Sequence, residues 1–158
     1  MPPHQRTREE VARTLRPRVN TEMRRHTNEP RDREAVVVED DPDARRVLAG
    51  CLRRLGLTVH EATGAAAAID LLERVTPDVL CVDVRLPDGS GFAICEHVRT
   101  TARLRDVPVL VISALTRPID RAQAQAAGAD EYVTKPFRAA ALTESVRELL
   151  ALSAVSAS

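Results

Sequence analysis

From Ala35 onward, short β-branched runs alternate with stretches whose apolar residues recur every three or four positions. Ala35-Val36-Val37-Val38 reads as a strand that stops at Glu39-Asp40. Asp41-Pro42 then reads as an N-cap and first helical residue, with a helix running to Leu55 and stopping at Gly56. A second strand is predicted over 57–61. Thr63 is expected to cap an Ala-rich helix over 64–75, closed before Pro77. The unbroken apolar core of residues 78–82 predicts a third strand. A loop over 83–91 follows, carrying Pro87, Gly89 and Gly91, and then a helix over 90–99. The fourth strand is predicted over 107–112, and a helix over 118–127 is stopped by Gly128. The fifth strand spans 131–134. The last helix covers about 138–152, with Leu142, Val146, Leu149 and Leu150 on one stripe.

Five strands alternating with five helices predict a doubly wound α/β domain with a parallel sheet over 35–152. Residues 1–34 have a different texture. Apolar residues are sparse there, and prolines fall at 2, 3, 17 and 30. That stretch reads as a charged, flexible arm. Thr7 and Glu10 are spaced to cap a short helix through Val11, Ala12 and Leu15, ended by Pro17. Residues 153–158 read as a C-terminal tail.

Composition narrows the function classes. The 158 residues are 44% hydrophobic and 29% charged, as in an ordinary soluble domain with a tail. The aromatics are Phe92, Tyr132 and Phe137. The core must therefore be Val, Leu, Ile and Ala, and three aromatics are too few for base-stacking on single-stranded nucleic acid, which makes that a weak reading. Net charge is zero, yet the arm holds nine Arg against six acids, and the remainder holds 14 basic against 17 acidic residues. Lys135 is the only lysine among 23 basic residues, which hints that an ammonium is required there. Cys51, Cys81 and Cys95 have no C-x-x-C spacing and read as buried thiols in a reducing compartment. His4, His26, His60 and His97 form no metal-ligand pair. No apolar run reaches the ~18 residues of a membrane span, and no signal peptide is visible. The expected location is the cytoplasm, with no membrane partner.

In doubly wound sheets the ligand site lies beyond the carboxyl ends of the strands. Those ends here are Glu39 and Asp40, Asp83, Ser113, and Lys135 followed by Pro136. Each has an ordinary explanation alone, as cap, turn or surface charge. Together they gather three carboxylates, a hydroxyl and an ammonium on one edge. Clustered carboxylates repel unless a cation joins them, and an all-oxygen set favours Mg2+. Such a site, with Lys135 opposite and the Ser113 hydroxyl as donor, suits phosphoryl transfer to an aspartate. No Gly-rich phosphate loop is present, which argues against ATP bound here as the donor.

The folded part, from residue 35 to about 152, resembles the receiver domains of bacterial two-component response regulators. The resemblance rests on Val37-Val38-Glu39-Asp40-Asp41, on Cys81-Val82-Asp83-Val84-Arg85-Leu86-Pro87-Asp88-Gly89, on Val111-Ile112-Ser113-Ala114, on Ala127-Gly128-Ala129-Asp130 and on Tyr132-Val133-Thr134-Lys135-Pro136-Phe137. It implies a flavodoxin-like sheet of order 2-1-3-4-5. It implies that Asp83 accepts a phosphoryl group from a phosphohistidine of a sensor histidine kinase or histidine phosphotransfer protein. Asp40 would bind Mg2+ directly and Glu39 through water, with Asp83 and the Arg85 backbone carbonyl completing the protein's ligands. Lys135 would contact the phosphoryl group, its bond to Pro136 being usually cis in the family. Ser113 would be the switch hydroxyl and Tyr132 its aromatic partner, although strand packing would also account for Tyr132. The face formed by helix four, strand five and helix five would then change shape and bind a protein partner or a second copy. Arg85 and Leu115 occupy the positions that tune phosphoryl lifetime, and their bulk predicts slow self-dephosphorylation.

Such a domain is not an enzyme beyond its own phosphoryl transfer and dephosphorylation. Alternatives remain: a transcriptional regulator whose Arg-rich arm contacts DNA, although the acids and prolines of the arm make a poor groove reader, or a receiver-like module that binds partners without phosphorylation. A haloacid dehalogenase-type phosphatase would need a second Asp two residues after the nucleophile, where Arg85 stands.

Overall fold

The computed structural model describes residues 31–157. The expected short helix near Thr7 and the arm's DNA contact lie outside those residues. Five parallel strands form one sheet: β1 Glu34–Val38, β2 Thr58–Ala62, β3 Val79–Asp83, β4 Val109–Ser113 and β5 Glu131–Thr134, in the order β2-β1-β3-β4-β5. Helices α1 Pro42–Arg54, α2 Ala65–Arg74, α3 Gly91–Thr100, α4 Pro118–Ala127 and α5 Ala139–Ala157 connect and cover them.

The unbroken apolar strands are explained by burial on both faces. Alternate residues of each strand point to opposite sides of the sheet. Val36, Val38, Leu80, Val82, Val109 and Val111 pack with Ala68 and Leu72 of α2, Ile94, Cys95 and Val98 of α3, and Ala124 of α4. Val37, Cys81, Leu110 and Ile112 pack with Leu48 and Leu52 of α1 and Leu142 and Val146 of α5. Each fully buried Leu contributes roughly 2 kcal/mol by leaving water. No described helix is long and apolar enough to cross a membrane.

The register brings the strand ends level. Val38 is opposite Ala62 and Val82, Asp83 is opposite Ile112, and Ser113 is opposite Thr134. Glu39, Asp83, Ser113 and Lys135 therefore leave the sheet on one edge. In this strand order the chain reverses direction between β1 and β3, which opens a crevice at their carboxyl ends.

Several elements differ from the sequence reading. Pairing in β4 begins at Val109, not 107, because Pro108 has no N–H to give the ladder. The loop after Asp83 contains a small antiparallel ladder, Arg85–Leu86 with Gly89–Ser90. The N-cap of α2 is Gly64, not Thr63, and it supplies no side-chain cap. Helix α5 continues to Ala157, past the predicted end near 152, since the Ala-rich stretch contains no Gly or Pro to stop it. At the other end, Glu34 is already in β1. Arg31 donates to Asp78, with Nη1 3.0 Å from Oδ2, and the Glu34 N–H donates to the same carboxylate at 2.8 Å. Residues 31–34 thus pack on the domain. By contrast, Asp41 caps α1 as read, accepting the Ala44 N–H at 2.8 Å.

Candidate functional site

Asp83 ends β3 and Glu39 follows β1, side by side across the crevice. Both are buried, at 8% and 1% exposure, while Asp40 beside them faces solvent. Oxygens of Glu39, Asp40 and Asp83 all lie within 4.8 Å of one another. Three hard oxygen donors this close fit a divalent cation such as Mg2+, with the exposed side open for waters. Lys135 reaches into the same space from the end of β5. Its Nζ donates to Glu39 Oε2 at 2.6 Å and to Asp83 Oδ2 at 3.1 Å. The Lys135–Pro136 peptide is cis.

The electrostatics follow from this crowding. Burial raises the Glu39 carboxyl above its ordinary range, and Asp83 adds to the rise. The Lys135 ammonium and the Asp41 N–H pull in the other direction without cancelling it. For Lys135, burial disfavours the charge, but Glu39 and Asp83 together outweigh it and hold the ammonium above its ordinary value. The pocket sets three carboxylates against one ammonium, an excess of acidic groups that suits a cation.

Ser113 is 1% exposed at the end of β4. Its Oγ accepts the Leu115 N–H at 3.1 Å, and its carbonyl accepts the Lys135 N–H at 2.8 Å. Its own hydroxyl proton remains for donation. Tyr132 Oη donates to the Leu115 carbonyl at 2.6 Å, and the Arg121 guanidinium stacks over its ring at 5.0 Å from the centroid. Tyr132 is thus tied to the loop after Ser113, which is more than strand packing alone. Leu115 is half-buried against the apolar cluster on the α4 side, and Arg85 is exposed. The structure brings Glu39, Asp40, Asp83 and Lys135 together. Ser113 is next along the edge, and Tyr132 is connected through Leu115.

Supporting residues were missed from sequence. Arg45 Nη1 donates to the Glu39 carbonyl at 3.0 Å, and its Nε is 3.4 Å from Glu61 Oε1, pinning the turn that carries the acidic pair. Asp120 is buried at the start of α4, where its Oδ1 and Oδ2 accept from Arg117 Nη2 and Nε at 3.0 and 3.1 Å. These bonds to Arg117 hold its carboxyl below the usual range. Arg99 ties α3 to two loops: it donates to the carbonyls of Gly128, Arg105 and Val107 and to Asp130 Oδ2 at 2.7 Å. Arg-Pro-x-Asp at 117–120 is a legible cap pattern. The partners of Arg45 and Arg99 leave no local signal in the sequence.

Fold and pocket define a class, a doubly wound parallel-sheet domain with an acidic crevice at its reversal point and a lysine facing it. Comparison with known proteins is specific. The family model described as the response regulator receiver domain matches residues 35–147, and the chain belongs to that family. It is 33% identical over 115 residues to the DNA-binding dual master transcriptional regulator RpaA of Synechocystis sp. (strain ATCC 27184 / PCC 6803 / Kazusa), covering 73% of this chain and 48% of that protein. The chain thus spans about half the length of the curated relatives it matches. A response regulator of Chloroflexus aurantiacus J-10-fl superposes with a TM-score of 0.73 at 29% identity, covering 77% of this chain and 99% of that one. The receiver domain of the sensor histidine kinase PA1611 of Pseudomonas aeruginosa PAO1 superposes with a TM-score of 0.70 at 29% identity, covering 77% and 99%. That structure holds a magnesium ion coordinated in its active site cleft.

Proposed function

We propose that Asp83 is the phosphoacceptor and that the donor is a phosphohistidine on a sensor histidine kinase or histidine phosphotransfer protein. The observation that carries this reading is the Asp83 carboxylate at the end of β3, clustered with Glu39 and Asp40 and 3.1 Å from the Lys135 ammonium. In the transfer, an Asp83 oxygen bonds to phosphorus as the phosphorus–nitrogen bond breaks. The imidazole leaves with that electron pair and takes a proton from solvent. Asp40, Asp83 and the Arg85 backbone carbonyl are suited to hold Mg2+ directly, with Glu39 acting through water. When bound, Mg2+ supplies charge neutralisation on the phosphoryl oxygens.

Lys135 exchanges its carboxylate contacts for a phosphoryl oxygen. Ser113, whose Oγ already accepts from Leu115, donates its proton to another. That motion draws on the loop over 114–117, and through the Leu115 carbonyl it reaches Tyr132. The face of α4, β5 and α5 then changes shape for a protein partner or a second copy. Residues 1–30 act as an arm beside this receiver. The chain catalyses its own phosphoryl transfer and dephosphorylation in the cytoplasm. The test is acetyl phosphate or beryllofluoride with Mg2+, comparing wild type with Asp83→Asn by mass. Wild type should be modified and the variant not, and equal modification of both would remove Asp83 from the role.

A further inference from the structure

The loop that follows Asp83 is folded tightly at both ends. At its inner end, a Cβ on Gly91 would lie 2.2 Å from the Asp83 carbonyl oxygen, and the Gly91 N–H donates to the Val84 carbonyl at 2.8 Å. In the middle, Arg85 pairs with Ser90 and Leu86 with Gly89. At the outer end, the Asp88 carboxylate leaves its own loop and caps α2. Its Oδ1 accepts the Ala65 N–H at 2.6 Å and its Oδ2 accepts the Ala66 N–H at 3.0 Å. The Ala66 bond, followed by the Ala65 bond, holds the Asp88 carboxyl below its ordinary range.

The sequence around this contact is adapted to it. Gly64, the N-cap of α2, has no side chain to offer, and a Cβ there would sit 2.6 Å from Asp88 Oδ1. Its φ of −164° is extended backbone open to any residue, so glycine is needed here for room and not for conformation. A Cβ on Gly89 would come within 3.1 Å of the Ala65 Cβ. Helix α2 is itself fixed to the core by Ala68 and Leu72. A continuous path therefore runs from the core through α2, the Asp88 cap and the small ladder to Arg85 and Asp83.

We propose that Asp88 is a positioning residue for the cation site: by capping α2 from a distance, it fixes the loop that presents the Arg85 carbonyl beside the Asp83 carboxylate. This rests on the reading of those two groups as cation ligands. A residue that only stabilised α2 would alter melting and leave cation affinity alone. A cap that sets the loop alters both, because ligand oxygens displaced by a fraction of an ångström bind the cation less well.

The experiment is calorimetric titration of the full chain with Mg2+ alone, with melting measured alongside, for wild type and a set of variants. Asp88→Ala removes charge and cap. Gly64→Ala keeps the charge but drives the carboxylate off the cap. Asp88→Asn loses the charge but keeps a capping oxygen. Asp88→Ala and Gly64→Ala should each weaken Mg2+ binding about fivefold or more, and the double variant should be no weaker than either alone. Asp88→Asn keeps one of the two accepting oxygens and should fall between wild type and Asp88→Ala, since its NH2 cannot accept the second N–H. Wild-type affinity in Gly64→Ala would overturn the proposal. So would wild-type affinity in a folded Asp88→Ala. If Asp88→Ala does not fold, the other two variants carry the same comparison. If wild type shows no Mg2+ binding, or Asp83→Asn binds equally well, the reading of the pocket fails instead.

Discussion

Lys135 Nζ lies 2.6 Å from Glu39 Oε2, across 96 positions of the chain, which makes the lysine a counter-ion to the acidic pair as well as to Asp83. Removing it leaves two buried carboxylates facing each other. Lys135→Ala is expected to cost about 1–3 kcal/mol without divalent cation, less than a fully buried broken pair because the lysine is partly exposed. Mg2+ should then restore more stability to the variant than it adds to wild type. Thermal unfolding of both proteins with and without Mg2+ measures this, and an equal cation response would refute the counter-ion role.

Glu39 gives a pH dependence of defined sign. Its carboxyl titrates above the ordinary value of 4.5 in the folded protein, chiefly through burial. Its proton is therefore held more tightly in the folded state than in the unfolded chain. The resulting contribution to stability is fully present below the unfolded value and is lost as pH rises through the folded one. Glu39→Gln removes that loss. Relative to wild type, the variant should gain stability as pH rises from about 4 to 7, while its Mg2+ affinity falls. Denaturant midpoints across that range check the slope, and a stability difference independent of pH would contradict it.

Arg85 and Leu115 are the residues proposed to set how long a phosphoryl group on Asp83 survives. Arg85 is exposed beside the acceptor loop, and Leu115 accepts the Tyr132 hydroxyl through its carbonyl while its side chain is half-buried. If their bulk hinders an attacking water, Arg85→Ala and Leu115→Ala should each shorten the lifetime of phospho-Asp83 by roughly two- to tenfold. The decay of the phosphorylated protein, followed by mass, measures it. If neither change speeds the loss, steric exclusion is not what sets the lifetime.

Tyr132 is tied to the loop after Ser113 by a single hydrogen bond of 2.6 Å. Tyr132→Phe keeps the ring under Arg121 and removes only that bond. A loss of about 1 kcal/mol is expected, with faster amide exchange over 114–117. Arg121→Ala should act in the same direction by about 0.5–1 kcal/mol. Unchanged exchange in that loop after Tyr132→Phe would mean that the tyrosine does not restrain it.

Much of the fold was legible because a parallel sheet buried on both faces writes itself as short apolar runs, such as Val79 to Val82, separated by polar helices. The site was legible for a related reason. In such a sheet the residue after each strand falls on one edge, so Asp83, Ser113 and Lys135 could be gathered from their positions alone. Local chemistry also announced Asp41 as the cap of α1 and Gly128, at a φ of 108°, as the stop of α4. The missed details have a common cause. Local capping would put Thr63 at the start of α2, whereas the cap comes from Asp88, 23 residues beyond Ala65.

The sequence by itself determined the alternation of elements, their apolar faces and the chemistry available at the carboxyl edge, because these depend on local pattern and on the period of each element. Only the tertiary structure decided which charges meet: Lys135 with Glu39, Arg45 with the Glu39 carbonyl, Arg99 with Asp130, Asp88 with the start of α2. Those pairings depend on the paths of loops and the reach of long side chains between segments distant in the chain, and no local periodicity records them.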